Sequence, residues 1–379
     1  MIKKIMLIFG TRPEAVKMCP LVLELKKYSQ FEVIVCLTGQ HNEMLHQVVD
    51  SFGITADYDL KIMKSRQTIT SITTRILSGL ENLFSKITPD LVLVHGDTTS
   101  SFAAALASYY KKIPIAHVEA GLRTYNIYSP FPEEANRQLT DQISTLLFAP
   151  TFTNKDNLLK QGIVKNVFVT GNTVIDSFKY TVKNKYLFSE DKLNNINFSL
   201  NKTVLVTAHR RENLGLPLIN ICEAIKSLSS THKDCLFLFP VHPNPNVKKI
   251  VYEFLNGLNN VILLAPLSIF DMHNLLPKVF LVMTDSGGLQ EEAPHFGKPV
   301  LVLREETERQ EAVSAGTVKI CGTSTENIIS YANSLLTDLS VYNKMAMAKN
   351  PYGKGNSSEL IANIILNYFF CETSKVFLR

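Results

Sequence analysis

Short apolar runs alternate with helix-length amphipathic stretches along almost the whole chain, and this alternation limits the fold more than any other feature. In the first half the runs are Ile5–Phe9, Glu32–Leu37, Leu91–His95, Ile113–Val118, Leu146–Ala149 and Val167–Thr170. In the second half they are Val204–Thr207, Cys235–Pro240, Val261–Leu264, Val279–Thr284, Pro299–Leu303 and Val318–Cys321. They are rich in Val, Ile and Leu and lack polar alternation, so as strands they need cover on both faces, as in parallel sheets. Strand–helix alternation then predicts an α/β doubly wound architecture rather than α+β.

At 379 residues the chain is long for one domain, and two are expected. The seam is expected near Asn172–Lys202, where the stretch from Lys183 to Asn201 is polar, Asn-rich and without a clear strand. That gives an N-terminal Rossmann-like domain over 1–171 and a second over 172–357. A last helix within 358–379 follows the loop Asn350-Pro351-Tyr352-Gly353-Lys354-Gly355-Asn356, and is expected to pack back on the first domain.

Composition removes several classes. Hydrophobic residues at 45% are ample for two cores, and 19% charged is too few for a disordered or coiled-coil chain. The net charge of +5 is spread rather than clustered, which argues against nucleic acid and for an anionic small molecule. The six cysteines form no Cys-x-x-Cys pair and no zinc-like spacing with His, so no metal site is expected. Scattered single cysteines read as reduced core residues of a cytoplasmic protein. The run Ile5–Phe9 is shorter than the ~7–15 apolar residues of a signal peptide, and no segment approaches the ~18 of a membrane span. No membrane partner is expected.

Ligands of doubly wound sheets bind beyond the carboxyl ends of the strands, so the polar residues there carry the functional reading. After the first run, Gly10-Thr11-Arg12-Pro13-Glu14 fits a capping box with Pro in the first helical turn. Arg12 and Lys17 add charge to that helix start, which makes it either a phosphate site or an ordinary cap. Thr284-Asp285-Ser286-Gly287-Gly288-Leu289-Gln290-Glu291-Glu292 repeats the pattern. There Ser286 suits an N-cap, Gly287 and Gly288 allow close approach of a diphosphate, and Glu292 lies where it could accept from ribose hydroxyls. Neither a Walker loop nor G-x-G-x-x-G is present, so neither ATP nor NAD is indicated.

Asp97 and Glu119 follow two successive strand candidates, and Glu133 opens a nearby helix. Adjacent parallel strands lie about 4.8 Å apart, so these acids could converge for proton transfer. Alternatively each caps a helix or pairs with Arg123 or Arg137. His209-Arg210-Arg211-Glu212-Asn213 places an imidazole and guanidiniums at the edge of the second domain. For His41 and His242 a structural or ligand-contact role is preferred to catalysis. Arg309 adds one more cation in a late loop.

In order along the chain, Gly10 through Ala15, His95-Gly96-Asp97-Thr98-Thr99, His117 through Arg123, Pro132 through Arg137, Gly171-Asn172-Thr173, His209 through Asn213, Thr284 through Pro294 and Asn350-Pro351-Tyr352-Gly353 resemble the bacterial non-hydrolysing UDP-N-acetylglucosamine 2-epimerases. The resemblance implies a GT-B fold of two Rossmann-like domains facing a central cleft, and a homodimer without a cofactor. It also implies interconversion of UDP-GlcNAc and UDP-ManNAc for cell-surface polysaccharide. By the same resemblance Asp97, Glu119, Glu133 and His209 carry catalysis, while Arg12, Lys17, Ser286, Gly287, Gly288, Glu292 and Arg309 contact the nucleotide sugar. A second, activating UDP-GlcNAc would fall near Gln40, His41, Arg66, Glu134, Arg210 and His242. Two residues depart from the family pattern: Gln310 stands where Pro is usual, and Lys354 where an acidic residue is common. A related UDP-2-acetamido sugar as substrate, or a GT-B glycosyltransferase, remain the alternatives.

Overall fold

The structure is a computed structural model in which residues 2–40, 43–64 and 67–371 are described, apart from the side chains of 43, 44 and 211. The chain forms two compact units, Met1–Tyr180 with Tyr352–Arg379, and Thr181–Pro351.

The first unit holds a seven-stranded sheet. Its strands are β1 (Lys3–Phe9), β2 (Phe31–Leu37), β3 (Tyr58–Asp59), β4 (Leu91–His95), β5 (Ile115–Val118), β6 (Leu146–Ala149) and β7 (Val167–Val169). Every pairing is parallel, in the order β3-β2-β1-β4-β5-β6-β7. The second unit holds six strands, β8 (Lys202–Thr207), β9 (Cys235–Pro240), β10 (Val261–Leu264), β11 (Leu281–Thr284), β12 (Val300–Val302) and β13 (Val318–Ile320). They are also all parallel, in the order β10-β9-β8-β11-β12-β13. Each of the twelve apolar runs became a strand. Only β3 had no counterpart, because two residues, one of them an exposed Tyr58, leave no apolar signature.

Every residue of β4 and β5 is buried, which accounts for the continuous apolar runs. One face of the first sheet buries Met6, Ile8, Val92 and Val94 with Ile72, Ile76 and Leu80 of the helix Ile69–Phe84. The second unit repeats this with Val204, Val206, Phe237, Phe239 and Met283 against Ile221 and Ile225 of the helix Leu216–Thr231.

In each sheet the strand order reverses at one point, between β1 and β4 and between β8 and β11. Chains leaving the two central strands there turn to opposite faces, which opens a crevice for ligand.

Residues 172–180 and 352–357 go with the first unit, whereas the sequence had placed them in the second. Long-range hydrogen bonds explain the difference. Asp176, on the helix Thr173–Thr181, accepts from the backbone N–H groups of Ser357 (3.1 Å) and Ser358 (2.8 Å), the first residues of the helix Ser357–Phe370. The Asn172 N–H donates to the Tyr352 carbonyl at 2.8 Å. The terminal helix then packs on the helix Arg12–Leu25, where Tyr28 just beyond donates to Asn363. Among the described residues no helix is long and apolar enough to cross a membrane.

Candidate functional site

In the first unit the switch point is organised around Glu14. Its Oε2 accepts from the N–H groups of Gly10 (2.9 Å) and Thr11 (2.7 Å), completing the capping box of the helix Arg12–Leu25. Its Oε1 accepts from the hydroxyls of Thr98 (2.7 Å) and Ser101. One buried carboxylate therefore binds the loop after β1 to the loop after β4. Arg12 opens the helix, partly exposed, and Lys17 extends from its second turn to an ion pair with Glu119.

Asp97 follows β4 through Gly96, whose φ of 63° is left-handed. Its Oδ2 takes the Arg137 Nε–H at 3.1 Å and also the Nη2–H, while its backbone carbonyl accepts from Asn136 at 2.9 Å. Glu119 follows β5 with φ 68°, a conformation that costs a non-glycine residue roughly 1–3 kcal/mol and recurs at functional sites. Besides Lys17 it accepts from Asn172 Nδ2 at 2.8 Å, and His95 Nε2 lies 3.7 Å away. Glu133 is the first residue of the helix Glu133–Ile143, half-buried and without an ion pair among the described residues. Asp97 and Glu119 thus stand at the ends of paired strands, His95 opposite Val118, each beside a cation of the same unit.

The remaining polar residues here are internal. Glu134 is fully buried and accepts from the N–H groups of Thr124 (3.1 Å) and Tyr125 (3.3 Å) and from Arg137 Nη1 (2.9 Å). It braces a loop rather than facing a ligand. Arg123 pairs with buried Asp141 at 2.7 Å, which also meets His117 Nδ1 at 2.6 Å. Gln40 accepts from Ser100 at 2.7 Å beside the same switch point. His41 and Arg66 lie outside the described residues.

In the second unit fully buried Asp285 plays the organising part. Its Oδ2 accepts from the N–H groups of His209 (2.7 Å) and Arg210 (2.8 Å) and from Asn213 Nδ2 (3.0 Å), which shapes the loop after β8. Its Oδ1 lies 3.4 Å from His209 Nδ1. The rings of His209 and His242 stack, centroids 5.2 Å apart and 6° from parallel. Burial, and then the neighbouring His209, holds the His242 ring below the usual imidazole range.

Ser286 occupies the N-cap position of the short helix Gly287–Glu292, but its hydroxyl makes no capping bond; its N–H donates instead to Thr284 Oγ1 at 2.9 Å. Arg309 lies against Gly287, where an added Cβ would meet Nη1 at 2.7 Å. Its guanidinium pairs with Glu291 at 2.8 Å and with Glu308. Burial pushes the Glu308 carboxyl up, but Arg309 and Arg304 outweigh it and hold the group at about 2. Glu292 is buried, 3.6 Å from His273 Nε2, and burial holds that imidazole at about 3. Gln310, the departure from Pro, is the first residue of the helix Gln310–Ala315, and its Nε2 donates to the Thr307 carbonyl at 2.7 Å. Lys354 is exposed in the returning loop of the first unit.

His232, Asp234 and Cys235 have ligand atoms within 4.8 Å of one another, the spacing a cation needs. They lie at the amino end of β9, opposite the charged loops, and burial pushes the Cys235 thiol up to about 11, which disfavours a thiolate ligand.

Sequence reasoning gave no role to His95, Asn172 or Asp285, saw Glu14 only as part of a helix cap and Arg137 only as an alternative partner for the acids, although each lies inside one of the motifs. The usable signal was position: all but Arg137 stand within a few residues of a strand's carboxyl end.

Two parallel sheets, each gathering charged loops where its strand order reverses, place the protein in the GT-B class. A family model described as UDP-N-acetylglucosamine 2-epimerase matches residues 23–366. The UDP-N-acetylglucosamine 2-epimerase of Bacillus subtilis is 51% identical over 367 residues, covering 97% of this chain and 96% of that protein. A crystal structure of the UDP-GlcNAc 2-epimerase from Neisseria meningitidis bound to UDP-GlcNAc is 47% identical, covers 96% of this chain and 100% of its own, and aligns with a TM-score of 0.88. A crystal structure of the UDP-GlcNAc 2-epimerase from Methanocaldococcus jannaschii in complex with UDP-GlcNAc and UDP is 33% identical, covers 96% of this chain and 99% of its own, and aligns with a TM-score of 0.78. The chain belongs to the UDP-N-acetylglucosamine 2-epimerase family, a family of isomerases.

Proposed function

We propose that the protein interconverts UDP-N-acetylglucosamine and UDP-N-acetylmannosamine by inverting carbon 2, without hydrolysing the nucleotide sugar. The carbon 2 proton is not α to a carbonyl, so its direct removal is very difficult. Elimination is easier. UDP leaves carbon 1 with the electron pair of its C–O bond, a base takes the carbon 2 proton, and a C1–C2 double bond forms. The glycal is then protonated at carbon 2 from the other face while UDP adds back to carbon 1. The step is redox-neutral.

The observation that carries this reading is the pair Asp97 and Glu119 on adjacent strand ends, each with a cation beside it, Arg137 and Lys17. Proton transfer on two faces of a sugar needs more than one acid, and Asp97, Glu119 and Glu133 supply them. His209, whose Nδ1 lies 3.4 Å from Asp285 Oδ1, is the fourth catalytic group. Departing diphosphate charge needs preorganised donors and cations. In the second unit these are the Gly287 and Gly288 amides and Arg309, with Ser286, and Glu292 takes the ribose. In the first unit they are Arg12 and Lys17.

A second UDP-GlcNAc activates the enzyme through Gln40, His41, Arg66, Arg210 and His242, with Glu134 acting through the loop at Thr124 and Tyr125. The family resemblance supports this, as it supports a homodimer and a product destined for cell-surface polysaccharide.

Incubation with UDP-GlcNAc alone in heavy water tests the reaction. Deuterium should appear at carbon 2 of both epimers. A glycosyltransferase without acceptor would give none, and a hydrolysing epimerase would release free ManNAc and UDP.

A further inference from the structure

We propose that His95 is a positioning residue for Glu119, its Nε2 accepting a hydrogen bond from that carboxyl whenever Glu119 holds a proton. The proposal rests on the reading above, in which Glu119 gains and loses a proton during turnover.

The geometry is specific. His95 ends β4 and Glu119 follows β5, and the register pairs His95 with Val118. The His95 side chain is only 4% exposed, and its Nε2 has no hydrogen-bond partner. Leaving such an atom unsatisfied is costly, so a role in another protonation state is the economical explanation. Nε2 and Glu119 Oε2 are 3.7 Å apart, close but beyond a hydrogen bond. An ionised carboxylate only accepts, and the unprotonated nitrogen of a neutral imidazole also only accepts. In the Nδ1–H tautomer that the proposal assigns to His95, two acceptors face each other across this gap, and one proton closes it.

The ring stays neutral. Burial holds it at about 3, against the opposing pull of Glu119; Lys17 and His117 are the other titratable groups facing it. With the ring proton on Nδ1, Nε2 offers its lone pair to Glu119. The two forms of Glu119 then have different partners. The ionised form takes Lys17 Nζ and Asn172 Nδ2. The protonated form relaxes its hold on Lys17 and donates O–H to His95 Nε2. A hydrogen bond to the neutral form raises the proton affinity of the acid. His95 therefore brings Glu119 nearer the working pH without entering the reaction as a charge.

The test compares His95→Leu, His95→Asn and His95→Gln with the wild type, measuring kcat and KM against pH and deuterium incorporation at carbon 2 of UDP-GlcNAc. Gln places an amide oxygen near the position of Nε2, whereas Asn and Leu do not. His95→Leu and His95→Asn should lower kcat by about tenfold at nearly constant KM, less than the ~10²–10⁴ of a general acid–base residue, because the acid itself remains. The limb of the pH profile that reports Glu119 should move to lower pH in both, and His95→Gln should restore much of the rate and the limb. Equal losses in Asn and Gln, an unmoved limb, or wild-type kinetics in all three would overturn the proposal. If His95→Leu does not fold, the Asn and Gln pair still decides. Absence of exchange in the wild type would instead refute the functional reading itself.

Discussion

The Arg309 guanidinium occupies the space a side chain at Gly287 would need: a Cβ there would lie 2.7 Å from Nη1 and 2.8 Å from Cζ. The cation cannot swing away cheaply, since Glu291 Oε1 accepts from its Nε at 2.9 Å and Glu308 holds Nη1. Gly287→Ala should therefore weaken UDP binding by about tenfold or more and cost about 1–3 kcal/mol of stability. Gly288→Ala meets the Glu292 carboxylate at 3.1 Å and Ser286 Oγ at an ordinary 4.0 Å, and should be milder. Calorimetric titration with UDP and urea melts of both variants check this.

Asp97→Asn keeps the shape of the residue and leaves Arg137 its bond to Glu134. Deuterium exchange at carbon 2 should fall by on the order of 10²-fold or more. UDP affinity should hold, because the groups proposed to bind the diphosphate lie mainly on the other unit. Near-normal turnover would remove Asp97 from the mechanism.

Much of this arrangement was readable beforehand, and for identifiable reasons. Leu91–His95 and Cys235–Pro240 could be delimited because strands covered on both faces have no polar positions to interrupt them. The capping box of Thr11 and Glu14 is local, so four residues suffice to predict it. That Glu14 also reaches Thr98 and Ser101 depends on strand order, which composition does not encode. The bonds from Ser357 and Ser358 to Asp176 span about half the chain, and missing them shifted the expected domain boundary. Ser286 has the residue type and position of a cap, yet its side chain does not cap.

Asp285 separates two jobs that substitution can distinguish. Asp285→Asn can keep an oxygen for the His209 and Arg210 amides but sets an NH2 group where Oδ1 faces His209 Nδ1. Its kcat should fall while its urea midpoint changes little. Asp285→Ala loses both functions, and stranding the buried N–H groups should cost about 1–3 kcal/mol. A kcat left unchanged in Asp285→Asn would show that Oδ1 does not orient His209.

Acid should find the Glu308 cluster. A carboxyl held at about 2, below its ordinary 4.5, stabilises the folded protein above pH 4.5, and that contribution disappears as pH falls toward 2. Its size is on the order of 3 kcal/mol at neutral pH. Urea melts of the wild type between pH 5 and pH 2.5 should show this loss, and Glu308→Gln should lack that part of the slope. Parallel pH dependence in the two proteins would mean that the Arg309 and Arg304 pairs contribute little.

Because Tyr352–Arg379 completes the unit begun by Met1–Tyr180, the second unit is an insertion within the first. A ribosome making this chain releases the whole inserted unit before it releases the helix that covers Arg12–Leu25. During synthesis the leading half waits with one flank unsealed, so the insertion has the opportunity to acquire its structure first, in the reverse of their order along the messenger.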